Sequence, residues 1–341
     1  MKNHLINLIK NSGPISVAEF MREALFHAEL GYYQQKNPFG RDGDFITAPE
    51  ISQVFGELIG AYFASLGMNY YFGRKINLVE MGAGNGTLMN DLLRVAKKIP
   101  DFFKFVNIHI IEISPRLQAI QQDKLKDYKI TWHDNFDSFY AANSEDPLFF
   151  IANELFDCFS INQLVKTKDG WAEKMITVKE EKLEFALSNY SQNIGIDAEI
   201  SAVFEKSIEA ESLMEKLVNA VKQSGGMGLI IDYGYYQNEF RDTLQALKNH
   251  QYVDVLNEAG NADITALVNF EILEKIAKNN GLKTSFSTQK HFLELIGIEA
   301  RRSVLINDKS DDEKKKINLA IDRLIDPKQM GELFKCLAFC S

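Results

Sequence analysis

The chain has 341 residues, of which 45% are hydrophobic and 25% charged, and its formal net charge is −9 with a pI near 5.3. This composition is typical of a globular protein with a large core, built as one elaborated domain or two. An acidic balance argues against a nucleic-acid partner, which would require a basic face.

The apolar runs and the cysteines exclude two further classes. No apolar run approaches the ~18 residues of a membrane span. The three cysteines, Cys158, Cys336 and Cys340, contain no C-x-x-C pair. We therefore predict no disulfide framework and no metal site.

The N-terminal part of the chain is predicted to be helical over residues 1–72. Ser16 and Glu19 have the spacing of a capping box and begin one helix, and a second helix is predicted from about 49 to 66. Between them lies a long loop with proline and glycine, residues 32–48. Loops of this length are more often functional than simple connectors, so we expect a lid that orders when a ligand binds.

Residues 73–341 alternate between strand and helix patterns, which predicts an α/β domain with a mostly parallel sheet and helices on both faces. An amphipathic helix is predicted at about 207–223. Residues 161–187 have a β pattern, and we treat about 161–206 as a β-rich insertion after the fourth strand. The predicted strands of the sheet are 76–81, 107–113, 128–133, 147–152, 228–232, 282–287 and 333–339.

A glycine-rich turn follows the first of these strands. Gly82, Gly84 and Gly86 alternate with other residues, and a helix is predicted from Thr87. A strand, a glycine turn and a helix form half of a nucleotide-binding unit, with free N–H groups at the helix start facing the ligand.

The spacing of the glycines bears on the ligand. A dinucleotide fingerprint, G-x-G-x-x-G, would have its third glycine at Thr87, whereas here it is Gly86. Glu80 adds an acid two residues before Gly82, and the pattern Glu-x-Gly-x-Gly-x-Gly resembles the first motif of class I S-adenosylmethionine-dependent methyltransferases. A carboxylate here suits a cationic ligand better than a pyrophosphate. On this turn alone, a dinucleotide enzyme and a plain tight turn stay open.

Polar residues also follow the other predicted strands. Ligands of open α/β sheets bind beyond the carboxyl ends of the strands. Glu112 could accept hydrogen bonds from both ribose hydroxyls, and Asp134 with Asn135 suits an adenine amino group. Asn153 and Glu154 end the fourth strand, and Asp232 ends the fifth.

Six segments of the chain together form a recognisable pattern: Gly43–Ser52, Phe55–Leu58, Val79–Leu88, Asn153–Asp157, Ala262–Thr265 and Pro327–Gly331. They resemble the MidA-like family, which includes the mitochondrial complex I assembly factor 7, and the resemblance covers about residues 13–339. The resemblance implies a Rossmann-like class I methyltransferase with a seven-stranded sheet and S-adenosyl-L-methionine as cofactor. For the mitochondrial member it implies symmetric dimethylation of an arginine in a respiratory complex I subunit.

We assign candidate roles on this basis. Glu154 is the predicted catalytic carboxylate, which orients a guanidinium and accepts its proton. Asp157 is a second predicted catalytic acid. Asp232 and Asp263 are further acids that could face the cleft. The predicted cofactor-binding residues are Thr47, Glu50, Glu80, Gly82, Ala83, Gly84, Gly86, Glu112, Asp134, Asn135 and Asn153.

The predicted function is methylation of an arginine in a protein substrate, by resemblance a complex I subunit. A methyltransferase of a small molecule, a non-catalytic assembly factor that keeps the fold and, least favoured, a nucleotide-dependent oxidoreductase stay open, as does a homodimer. The first residues, 1–11, lack a presequence pattern. This favours a bacterial cytoplasm, although a processed protein of the mitochondrial matrix would look the same.

Overall fold

The computed structural model describes residues 1–35, 46–237 and 240–341. The chain forms two compact units. The first unit comprises Met1–Phe45, Asp157–Leu213 and Tyr235–Glu271, and the second comprises Ile46–Phe156, Met214–Gly234 and Ile272–Ser341.

Helices occur along the whole described chain. They are α1 Lys2–Ser12, α2 Val17–Phe26, α3 Tyr32–Gln35, α4 Ala48–Ile51, α5 Gln53–Tyr70, α6 Thr87–Ala96, α7 Pro100–Phe103, α8 Pro115–Lys124, α9 Phe136–Asn143, α10 Ile208–Ser224, α11 Phe270–Asn279, α12 Gln289–Leu295, α13 Ile298–Ile306, α14 Asp311–Ile325 and α15 Met330–Leu333, with a 3₁₀ turn at Phe156–Cys158.

The strands follow the same chain order. They are β1 Ile15–Ser16, β2 Ile76–Met81, β3 Val106–Ile111, β4 Ile130–His133, β5 Leu148–Asn153, β6 Asn162–Thr167, β7 Gly170–Lys179, β8 Lys182–Gln192, β9 Val203–Lys206, β10 Gly226–Tyr235, β11 Gln245–Lys248, β12 Gln251–Val253, β13 Asp263–Thr265, β14 Val268–Asn269, β15 Lys283–Thr288 and β16 Phe334–Cys340.

The sheet of the second unit is mostly parallel, as predicted. Its strands have the order β15-β16-β10-β5-β2-β3-β4. The five strands from β10 to β4 are parallel, and β16 is antiparallel to both β10 and β15. All seven predicted strands are therefore present. Among the described residues the sheet to which these strands belong has eight members, one more than predicted, because it also includes the two-residue β14, and so short a strand carries no periodic pattern.

Helix α5 packs closely on α6 in the core of the second unit. Phe55, Ile59 and Phe63 of α5 are fully buried. A Cβ built on Gly60 would lie 2.7 Å from the carbonyl oxygen of Leu92, so only glycine permits this approach. This contact fixes α6, and with it the glycine turn that precedes α6.

The helix predicted over 49–66 is divided in two. Its first turn is α4 and the remainder is α5, and Ser52 between them has an extended backbone with φ −154° and ψ 130°. The Ser52 side chain accepts the Val54 N–H and begins α5 as an N-cap. The sequence pattern did not reveal this break, because the apolar period continues across it.

The first unit contains antiparallel strands and the N-terminal helices. Its larger sheet has the order β1-β7-β6-β9, with β8 also paired to β7, and β11 pairs with both β12 and β13. Helix α2 begins where predicted, since Ser16 accepts the Glu19 N–H at 3.0 Å. Trp171 is buried in β7 and donates its indole N–H to the Ile196 carbonyl oxygen at 3.0 Å.

The two units do not follow the boundary predicted at residue 72. Helices α4 and α5 belong to the second unit with the sheet, whereas residues 157–213 and 235–271 belong to the first. The physical reason for the first difference is the packing of α5 on α6. The β-rich segment predicted at 161–187 contains β6, β7 and the first part of β8.

Two expectations from composition can be compared with the structure. Within residues 1–35, 46–237 and 240–341, no helix is both long and apolar enough to cross a membrane. Cys158, Cys336 and Cys340 are free thiols.

Candidate active site

The glycine turn has the backbone that its composition predicts. Gly82, Gly84 and Gly86 have φ values of +71°, +50° and +73°, a region that other residues rarely adopt. A Cβ on Gly82 would lie 2.7 Å from the Leu155 side chain. Bare main chain, with Ala83 buried beside it, therefore lies at the carboxyl end of β2, where α6 begins.

Glu80 is buried in front of this turn with one oxygen unpaired. Its side chain is 3% exposed, and Oε2 has no hydrogen-bond partner among the described residues. Burial raises the pKa of Glu80 to about 8, the Met89 amide opposes this shift, and Glu112 adds to it. An unpaired buried carboxyl group is costly in the unliganded protein and well suited to a cationic ligand group.

Glu112 lies just beyond β3, and its carboxylate accepts hydrogen bonds from Ser114, Gln121 and the Ile113 main chain. Oε1 accepts the Ser114 N–H at 2.9 Å, and Oε2 accepts Nε2 of Gln121 at 3.1 Å. Burial raises the pKa of Glu112, and these hydrogen bonds oppose the shift. The carboxylate is thus fixed in one orientation, with acceptor capacity remaining for hydroxyl groups.

The sequence did not identify two residues of α8 that hold the turn. Gln121 is fully buried and donates to the Gly84 carbonyl oxygen at 2.9 Å as well as to Glu112. Lys124, one turn later, donates to Oγ1 of Thr87 at 2.5 Å. Their spacing of three residues could have identified them, because it places both side chains on one face of a predicted helix.

The residues predicted to contact adenine lie at the end of β4, and both are exposed. The Asn135 side-chain oxygen accepts the Ser138 N–H at 2.8 Å, so Asn135 is the N-cap of α9. Asp134 follows His133, whose Nε2 lies 3.0 Å from Nδ1 of His109. The adenine roles of Asp134 and Asn135 stay predictions.

Asn153 is the last residue of β5, which pairs with β2 in the sheet, and Glu154 follows it. Oδ1 of Asn153 is buried without a partner among the described residues, and Nδ2 donates to Oε1 of Glu154 at 3.2 Å. The same Glu154 oxygen accepts the Ala48 N–H at 2.9 Å. Glu154 has φ +53°, a left-handed conformation that costs a non-glycine residue energy and is common at functional sites.

The segment around α4 is tied to the glycine turn. Oε1 of Glu50 accepts Oγ1–H of Thr87 at 2.6 Å and Nδ2 of Asn85 at 3.5 Å. The Thr47 carbonyl oxygen accepts the Glu50 N–H at 2.9 Å. The structure therefore brings Thr47 and Glu50 to the turn, while residues 36–45 of the predicted lid, with Gly43 to Phe45 of the family segment, lie outside the described residues.

Of the other predicted acids, Asp232 has a structural role in the second unit. It is fully buried and accepts the main-chain N–H groups of Phe156 and Tyr233, both at 2.8 Å. Asp157 and Asp263 belong to the first unit, where Tyr33 donates to Oδ1 of Asp263 at 3.0 Å. Burial, with the nearby Asp263 and Asp157, raises the pKa of Tyr33 well above its ordinary value.

One group in the first unit has metal-ligand composition, although no metal site was predicted. His4, Glu23 and His27 lie together, with Nε2 of His4 2.8 Å from Oε2 of Glu23. Nδ1 of His27 accepts the N–H groups of Glu29 and Leu30, both at 3.2 Å. A neutral ring that accepts at Nδ1 carries its proton on Nε2, so these hydrogen bonds compete with metal binding.

The residues of the second unit fit S-adenosylmethionine. Buried oxygens of Glu80 and Asn153 without partners among the described residues are acceptors for an ammonium group. Glu112 offers a fixed carboxylate for hydroxyl groups. The bare main chain at Gly82 to Gly86 permits close approach, as a ligand at the end of β2 requires.

Comparisons with known proteins agree with this fit. Residues 58–288 match the family described as "Putative S-adenosyl-L-methionine-dependent methyltransferase". The chain is 35% identical to the mitochondrial protein arginine methyltransferase NDUFAF7 of Danio rerio, over 97% of this chain and 85% of that protein. It is 33% identical to the Homo sapiens protein of that name, over 99% and 82%.

A solved structure has the same fold. A protein of Burkholderia thailandensis, crystallised with S-adenosyl-homocysteine, aligns over 100% of this chain and 91% of its own with a TM-score of 0.87 and 24% identity. Together with the matched family, these relatives identify the chain as an S-adenosylmethionine-dependent methyltransferase of the MidA-like family, the family of the protein arginine methyltransferase NDUFAF7.

Proposed function

We propose that this methyltransferase acts on an arginine of a protein substrate. The observation that carries the proposal is the set of relatives named protein arginine methyltransferases, which are 33–36% identical over at least 97% of the chain. Glu154 supports it, because a carboxylate at the end of β5 supplies the counter-charge that a buried guanidinium requires.

The cofactor is held, in this proposal, by residues at the carboxyl ends of β2, β3, β4 and β5. Glu80 and Asn153 bind its amino-acid end, Glu112 binds the ribose, and Asp134 with Asn135 lies toward the adenine. Thr47 and Glu50 position the segment beside the turn, and Gly82, Ala83, Gly84 and Gly86 provide the bare main chain. When bound, S-adenosylmethionine supplies an activated methyl group on a sulfonium.

Glu154 has two roles in the proposed mechanism. It orients the guanidinium and localises its charge on one side. The nitrogen that gains a methyl group must lose a proton, and the Glu154 carboxylate receives it. The Ala48 and Asn153 donors hold that carboxylate in place, which reduces the entropic cost of orienting the substrate. Asp157 stays a predicted second acid.

The substrate and compartment follow by resemblance only. We propose a respiratory complex I subunit as the protein partner, in the bacterial cytoplasm or in the mitochondrial matrix if the chain is a processed protein. The relatives' names specify mitochondria for those proteins. Homodimer formation stays a prediction.

The test is mass spectrometry of candidate protein substrates after incubation with isotope-labelled S-adenosylmethionine. Labelled methyl groups should appear on arginine. Glu154→Gln keeps an oxygen for the Ala48 N–H but removes the charge, so turnover should fall at least about tenfold, or 1.4 kcal/mol, with cofactor affinity unchanged. Glu145→Gln, at an exposed position, is the matched control and should be fully active.

Two outcomes would contradict the proposal. Label found only on a small molecule would assign the enzyme to another substrate class. Full activity of Glu154→Gln on an arginine substrate would remove Glu154 from the mechanism.

A further inference from the structure

Gln121 connects two parts of the cofactor site that are distant in sequence. Its Nε2 donates to the Gly84 carbonyl oxygen at 2.9 Å and to Oε2 of Glu112 at 3.1 Å. The side chain is fully buried. One amide thus joins the turn after β2 to the acid after β3.

Trp132 determines which way this amide faces. Its Nε1–H lies 3.0 Å from Oε1 of Gln121, and an indole nitrogen can only donate. The oxygen of Gln121 must therefore face Trp132, and the NH₂ group must face Gly84 and Glu112. The opposite orientation would leave the indole N–H without its acceptor and oppose oxygen to oxygen at both other contacts.

The packing of α8 on the turn leaves little room for another arrangement. A Cβ on Gly86 would lie 3.3 Å from the Leu125 side chain and 3.4 Å from Cγ of Gln121. Lys124 also donates to Oγ1 of Thr87. Helix α8 is therefore held at a fixed distance from the turn, and the Gln121 amide with it.

We infer that Gln121 is a positioning residue for ribose recognition: oriented by Trp132, it holds the Glu112 carboxylate facing the ribose hydroxyls and sets its distance from the glycine turn. The inference rests on the proposed role of Glu112. Gln121 does not itself need to contact the cofactor. Without it, Glu112 loses its donor from α8 and keeps the main-chain donors of Ser114 and Ile113 next to it in the chain, so its carboxylate can rotate away from the ribose.

The experiment compares two ligands by titration calorimetry on the full chain: S-adenosylhomocysteine and its 2′-deoxyribose analogue. The unmodified protein should prefer the ribose form about tenfold, the effect of one hydrogen bond to a charged group. Gln121→Met, which keeps the length but removes the amide, should reduce this preference to about threefold or less. The exposed neighbour Gln122 gives the control Gln122→Met, which should keep the full preference.

The ratio of the two ligand affinities distinguishes loss of positioning, which lowers the ratio, from general structural damage, which weakens both ligands equally. If Gln121→Met weakened both ligands equally and kept the tenfold ratio, the inference would be overturned. Should Gln121→Met fail to fold, Trp132→Phe removes the orienting donor while keeping an aromatic ring and should also reduce the ratio; an unchanged ratio there would overturn the inference as well.

A third variant distinguishes this inference from the proposal on which it rests. Glu112→Gln should itself reduce the ratio. If Glu112→Gln reduces it and Gln121→Met does not, only the inference fails. If Glu112→Gln leaves the ratio unchanged, Glu112 does not read the ribose, and both fail.

Discussion

At the scale of single residues, the functional acids differ in how the chain holds them. The Glu112 carboxylate accepts hydrogen bonds from the Gln121 side chain and from neighbouring main chain, and the Asp232 carboxylate accepts two main-chain N–H groups. Glu80 has an oxygen without a partner among the described residues. All three were visible in the sequence as acids at strand ends. Their bonding was not, because it depends on donors such as Gln121 that are distant in sequence.

The left-handed backbone of Glu154 predicts an unusual order of stabilities. At φ +53° an alanine is strained by about 1 kcal/mol relative to glycine. Both Glu154→Gly and Glu154→Ala remove the carboxylate, so both lose the Ala48 hydrogen bond and activity. The free energy of unfolding, measured by urea denaturation, should nevertheless be about 1 kcal/mol higher for Glu154→Gly than for Glu154→Ala.

The same pair at Glu145 is the control, because Glu145 does not have a positive φ. There Ala should be at least as stable as Gly. Equal stabilities of the two Glu154 variants would show that no backbone strain is present at this position.

At the scale of the elements, strands were predicted better than helix breaks. Strand β2 has the predicted bounds, because buried parallel strands are continuous apolar runs between turn residues. The break at Ser52 was missed, since a serine inside an apolar helical pattern is compatible with an uninterrupted helix as well as with a cap. Gln121 was missed because α8 is mostly polar and its buried face is not distinct in sequence.

Because α5 packs closely on α6, we expect a glycine-to-alanine change in α5 to lower stability, although helix propensity alone would raise it. In a helix, alanine is normally more stable than glycine by about 1 kcal/mol. Gly60→Ala should instead be destabilising by about 1–3 kcal/mol, because its Cβ would meet the Leu92 main chain, which cannot move aside. Thermal unfolding of Gly60→Ala measures this.

Ala61→Ser, on the exposed face of α5, adds one atom to the same helix and should change stability by less than about 0.5 kcal/mol. A Gly60→Ala protein as stable as the unmodified one would mean that α5 and α6 are not in the close contact described.

At the scale of the whole molecule, the sequence predicted the cofactor and the mostly parallel sheet of the second unit but not the division of the chain. The first unit combines three segments separated by more than a hundred residues in total. Periodicity and turn signals are local, so they locate elements but not which distant elements join one core. The alternation of strand and helix patterns predicted the α/β class, the resemblance to a family added the methyltransferase fold, and the boundary at residue 72 came from helical pattern alone.

The buried carboxyl group of Glu80 links ligand binding to the stability of the whole chain. Its pKa is about 8 in the folded protein against an ordinary 4.5, so the folded state binds the proton that the unfolded state releases above pH 4.5. This contribution to stability is therefore lost as pH rises from about 4.5 to 8. A bound ammonium group favours the charged form and should reverse the loss.

The stabilisation by S-adenosylmethionine should accordingly grow with pH between 6 and 7.5, where the ligand's α-amino group, with a pKa of about 7.7–8.0, stays mostly charged. If binding requires ionised Glu80, affinity rises by up to about tenfold per pH unit, and each tenfold adds about 1.4 kcal/mol at saturating ligand. Thermal unfolding with and without cofactor at several pH values measures this. Glu80→Gln cannot ionise, so its stabilisation should vary little, and the ligand's own titration is common to both proteins. Parallel pH profiles for the two proteins would mean that Glu80 does not face the cofactor's charge.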